Sequence, residues 1–132
     1  PGCQATLNNS YSYGIDIYNL LLDIAIHKKF NLKYPDKIVS VGDLYLPNKE
    51  GIIEQITPLE ELLKMDGAIC GELFAKIGEY QKKRRVGNDA SGWVQVLGEN
   101  EFDTLQKMQK IYDIFEIEVS NDMGGKKYVK KI

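Results

Sequence analysis

"IDIYNLLLDIAI", residues 15–26, is the longest near-apolar run in the chain, broken by Asp16, Asn19 and Asp23. On a helix of 3.6 residues per turn those three and His27 share one narrow stripe. Ile17, Tyr18, Leu20, Leu21, Leu22, Ile24, Ala25 and Ile26 occupy the rest of the circumference. A helix apolar over most of its circumference belongs inside a domain, so the pattern predicts a central buried helix over residues 15–30. Asp16 in its first turn and Lys28 and Lys29 in its last suit the helix dipole. The run is also well short of the roughly 20 apolar residues that a membrane span needs.

Working outward, residues 1–13, "PGCQATLNNSYSY", show no sustained period and read as a loose N-terminal arm, with residues 14–132 as a single domain. After the helix, Ile38–Val41 and Leu44–Leu46 suggest short strands divided by the bend at Gly42 and Asp43, a candidate hairpin. Thr57, Pro58 and Glu60 announce a short helix that ends near Gly67. From Ala68 to about Arg85, Ile69, Cys70, Leu73, Phe74, Ile77 and Tyr80 recur at helical spacing, which predicts a longer helix closed by Gly87. "GWVQVLG" at 92–98 alternates as a strand does. Asn100 then caps a helix over residues 101–114, with Phe102, Leu105, Met108, Ile111 and Tyr112 as its apolar line. The chain closes with a hairpin whose arms hold Phe115, Ile117 and Val119 and then Lys126–Ile132. Placing Ser120 opposite Lys126 would set Glu116 beside Lys130. The predicted fold class is α+β: about four helices around small antiparallel strand pairs, with a winged-helix-like arrangement as the alternative.

The totals agree with one globular domain. The chain has 132 residues, 43% of them hydrophobic and 27% charged, with a net charge of −2, which argues against a strongly basic nucleic-acid binder. The charge is uneven: residues 99–122 carry seven acids against two cations, and residues 123–132 carry four lysines and no acid. Cys3 and Cys70 are too few and too far apart for a disulfide framework or a metal knuckle, which favours a reducing, intracellular compartment.

One surface stretch stands out: "EYQKKRRVGNDASGW", residues 79–93. Lys82, Lys83, Arg84 and Arg85 at the end of the predicted helix would offer charge to a phosphate track, with Tyr80 and Trp93 as stacking faces. Lys126, Lys127 and Lys130 around Tyr128 form a second basic group. Both groups also have plain readings, as cations favoured at a helix C-terminus and as lysines guarding an edge strand. The acids of the 101–114 helix count against a DNA-reading role for it. His27 and Cys70 could meet in space as a nucleophilic pair, though Cys70 lies on an apolar face. No motif calls for a cofactor or a metal, and no P-loop is present. The expected function is a non-enzymatic interaction module that docks an acidic partner, either a nucleic acid or an acidic protein surface, through the basic helix end. The alternative is a protein–protein module such as an inhibitor, an immunity-type partner or an assembly subunit, with homo-oligomerisation open. A small enzyme with dispersed catalytic residues ranks last.

Overall fold

The computed structural model describes residues 4–33, 35–83, 89–122 and 127–130. In chain order the elements are α1 (Ala5–Tyr13), α2 (Ile17–Ala25), β1 (Ser40–Leu46), β2 (Gly51–Ile56), α3 (Leu59–Leu62), β3 (Ala68–Leu73), β4 (Tyr80–Gln81), β5 (Gly92–Gly98), α4 (Glu101–Ile114), β6 (Ile117–Asp122) and β7 (Lys127–Lys130). This is a small α+β domain with two antiparallel sheets. One has the order β1-β5-β3 and the other β4-β2-β6-β7. The winged-helix-like alternative gives way to this pair of sheets.

One core joins the two. Leu46, Val94 and Val96 come from the first sheet and Ile53, Ile117 and Val119 from the second. Leu62 of α3, Ala75, Ile111 of α4 and Phe115 complete it. In β5 the alternation places Val94 and Val96 on the core side and Trp93, Gln95 and Leu97 on the other. Helix α4 lies against β1 and β5, close enough that a Cβ on Gly42 would meet the Met108 sulfur at 2.9 Å. Helix α1 packs on β1, where Asn8 bonds to Asp43 and Gln95, on the face opposite the core.

Several expectations need correction. Residues 5–13 are not a loose arm. They form α1, which buries Thr6 and ends at Gly14 in the left-handed region, where the Gly14 amide donates to the Ser10 carbonyl. The helix predicted over 15–30 is shorter and is not buried: α2 spans Ile17–Ala25 and has no buried residue. The helix predicted over 68–85 does not form over its described residues, 68–83, because Ala68–Leu73 is strand β3, paired with β5; residues 84–85 lie outside the described residues. Gly71 explains why the segment is extended: a Cβ there would sit 2.5 Å from the Trp93 carbonyl oxygen, a closeness that strand pairing exploits. Gly78, at φ 85, then turns the chain towards β4.

Residues 40–46 form one strand rather than a bent hairpin, and β2 belongs to the other sheet. Thr57 does not cap α3, whose N-cap is Pro58 without a side-chain bond. Its hydroxyl instead accepts from the Glu116 amide at 2.8 Å and sits 3.3 Å from the Ile114 and Glu116 carbonyls, tying the start of α3 to the α4–β6 junction. The strand at 92–98 and the Asn100-capped helix at 101–114 form as predicted, and so does the C-terminal hairpin. The hairpin's register differs from the expected one: Val119 faces Lys130 and Ser120 faces Val129.

Candidate functional site

The basic stretch is organised differently from its sequence reading. Tyr80 lies on the two-residue edge strand β4, and its hydroxyl donates to the Glu50 carboxylate at 3.0 Å. That bond, with some burial, raises the phenol above its usual range, since it favours the protonated form. Lys82 and Lys83 follow β4 as exposed, non-helical residues, whereas Arg84 and Arg85 lie outside the described residues. Trp93 is buried in the middle strand of the first sheet, 8% exposed, between Tyr45 and Glu72 on the neighbouring strands. An indole so enclosed offers no open face for a stacked base. Lys127 and Lys130 sit on the edge strand β7, and Lys126 lies outside the described residues. Among the described residues, then, Lys82 and Lys83 do not end a helix, and Trp93 is buried.

Sequence reasoning missed a polar quartet under α1. Gln95, fully buried on β5, donates through Nε2 to Asn8 Oδ1 and to Asp43 Oδ1, the latter at 3.3 Å. Asn8 Nδ2 donates to Asp43 Oδ2 at 2.8 Å, and the Cys70 thiol donates to Gln95 Oε1 at 3.4 Å. The strand register places Asp43 and Cys70 on either side of Gln95. Desolvation, and then the negative charge of Asp43, push the Cys70 thiol above its usual range. A thiol held protonated and engaged with an amide is a structural group rather than a nucleophile. His27 lies beyond α2 with φ 55 and is exposed, and Asp23 pairs with Lys28 at 3.2 Å instead. Each side chain of the quartet is partnered within it, so the set pins α1 to the sheet.

A shallow hollow of about 280 Å³ opens at the end of α4, lined by Pro47, Tyr112, Phe115 and Ile117 with the carboxylates of Asp113, Glu116 and Glu118. Among the described residues no three His, Cys, Asp or Glu side chains are grouped so as to hold a metal ion.

Helix α2 presents a run of exposed apolar side chains. Asp16 caps it by accepting from the Asn19 amide at 3.0 Å, and the Ile26 amide closes it on the Leu22 carbonyl at 3.0 Å. Between those ends Tyr18, Leu21, Leu22 and Ala25 recur at i, i+3, i+4 and i+7, all exposed, with Ile24 and Ile26 beside them. It lies beside α1 and contributes no residue to the core.

No protein-family model matches the chain, and no curated protein matches it. Among solved structures it is similar to phosphoribosylglycinamide synthetase from Anaerococcus prevotii, with a TM-score of 0.72 and 19% identity. The likeness covers 88% of this chain and 30% of that one, so the chain spans less than a third of the length of the protein it resembles. At this identity the likeness establishes the fold alone. The fold is one found as a portion of an enzyme. That finding overturns the expected non-enzymatic module docking an acidic partner, along with its alternative of an inhibitor, immunity-type or assembly subunit.

Proposed function

We propose that this chain is one domain of a larger, amide-forming synthetase-type enzyme, and that it supplies packing surface to that enzyme rather than the reacting groups. The observation that carries this reading is the lopsided coverage: nearly all of this fold corresponds to under a third of a synthetase named for an amide product. The chain's own chemistry supports the division of labour. The described groups whose titration is displaced are Cys70, Tyr80, Asp103 and Lys107, and each is displaced by burial or by bonds to neighbouring groups of this chain. None of the four lines the hollow at the end of α4.

The test is to isolate the polypeptide that carries this sequence at its native length, weigh it by mass spectrometry, and assay nucleoside-triphosphate-dependent condensation of an amine with a carboxylic acid. A mass well above 15.0 kDa, with condensation by the native polypeptide and none by residues 1–132 alone, is the expected result. A native mass of 15.0 kDa would overturn the reading.

A further inference from the structure

Helix α2 is nine residues long and contributes no residue to the core. In water a helix shorter than roughly 12 residues is marginal even when its sequence favours helix, and most helical stability in proteins comes from packing an apolar face. Among the described residues nothing buries that face. Tyr18 is 57% exposed, Leu21 51%, Leu22 57%, Ile24 46% and Ile26 61%. At about 200 Å² for each large side chain they present on the order of 500 Å² of apolar surface, as much as the largest patch on a typical monomer. The helix has a definite cap at Asp16 and a definite stop at Ile26, so its boundaries are built into the sequence while its apolar face stays exposed.

We propose that the Tyr18, Leu21, Leu22 and Ala25 stripe of α2 is seated against the body of the longer enzyme, as the interface between this domain and the rest of that protein. The inference rests on the domain reading above, and two observations choose this occupant. The fold recurs as 30% of a longer chain, whose remainder is covalently tethered to it. The stripe itself also carries no charged residue, Asp16 and Asp23 lying off it, as suits a permanent intramolecular contact better than a transient one. A tethered surface needs no affinity of its own to stay engaged, because the linkage sets its effective concentration.

Hydrogen–deuterium exchange read by mass spectrometry tests this on residues 1–132 and on the native-length polypeptide side by side, each also carrying the paired substitution Leu21→Glu and Leu22→Glu. The expected result is that amides 20–25 exchange at near-unstructured rates in residues 1–132 and at least 100-fold more slowly in the native-length polypeptide, and that the paired substitution removes that protection. The same substitution should leave the urea midpoint of residues 1–132 unchanged, because neither leucine is in the core. Equal fast exchange of these amides in a native polypeptide that is longer than 132 residues would overturn the interface while leaving the domain reading intact. Concentration-dependent dimers of residues 1–132 that protect the same amides would overturn it in favour of a second copy of this chain. A native polypeptide no longer than 132 residues would overturn the domain reading and the interface together.

Discussion

Asn8 on α1 donates through Nδ2 to Asp43 Oδ2 on β1 at 2.8 Å, joining residues 35 positions apart. The same asparagine accepts from the buried Gln95, so a helix of low apolar content is fixed to the sheet by polar bonds rather than by a greasy face. Gln95→Leu should remove the shared hub and leave Asn8 Oδ1, Asp43 Oδ1 and the Cys70 thiol short of partners. Unsatisfied buried polar groups cost about 1–3 kcal/mol, and the loss should appear as a lower urea midpoint followed by Trp93 fluorescence. Asn8→Ala should lower it less, because Asp43 and Gln95 can still bond each other. Equal midpoints for wild type and Gln95→Leu would show that the quartet contributes nothing to stability.

Gly98 and Gly42 both face α4, but their surroundings differ in kind. A Cβ on Gly98 would lie 2.5 Å from the Thr104 backbone nitrogen and 2.9 Å from its Cα, whereas on Gly42 the close atom is the Met108 sulfur, at 2.9 Å. Backbone at a helix start cannot step aside as a thioether can. Gly98→Ala should therefore cost about 1–3 kcal/mol, the usual range for overpacking, and Gly42→Ala clearly less. Thermal unfolding of the two variants would decide, and a larger loss for Gly42→Ala would contradict the account.

At the start of α4, Asn100 accepts from the Asp103 amide and Asp103 accepts from the Glu99 amide at 2.9 Å, while Lys107 reaches Asp103 at 3.0 Å. The Glu99 amide, then Lys107, hold the Asp103 carboxyl below its ordinary 3.8, and Asp103 holds Lys107 above its ordinary 10.5. The lowered acid contributes stability that is full above 3.8 and lost as pH falls through the folded value. The raised base contributes stability that is full below 10.5 and lost as pH rises through its folded value. Asp103→Asn should lower the urea midpoint at neutral pH, and the gap from wild type should close on acidification below 3.8. A gap that stays constant into strong acid would mean that the ionised carboxylate is not what matters.

Much of the sheet-and-helix outline was legible because it depends on local signals. Asn100 with acids behind it marked α4, and the alternation of Trp93, Val94, Gln95 and Val96 marked β5. The segment from Ala68 onward misled because Ile69, Cys70, Leu73, Phe74 and Ile77 fit a helical period by coincidence. The contrary signal was Gly71 and Gly78 within that span, since each glycine inside a helix costs about 1 kcal/mol relative to alanine. Strand β2 left little trace, because its Ile53 and Ile56 find their partners on β6, over sixty positions away. The quartet was hidden for the same reason: Asn8, Asp43, Cys70 and Gln95 become neighbours only through strand register. The apolar character of α2 was read correctly and its placement was not, because a periodic pattern shows which face is apolar but not which element, if any, lies against it.

Cys70 gives the most direct chemical check on the first sheet. Burial first and the Asp43 carboxylate second keep its thiol above the usual range, and alkylation proceeds through the thiolate. In a Cys3→Ser background, iodoacetamide should modify Cys70 more slowly than it modifies a free cysteine at pH 8, and the difference should narrow as pH rises. Asp43→Asn removes the charge but leaves the burial, so it should recover only part of the rate. Full recovery would rank the charge above desolvation and reverse the order of causes. A wild-type rate equal to that of free cysteine would mean that the Cys70 thiol is open to solvent and that its bond to Gln95 does not hold.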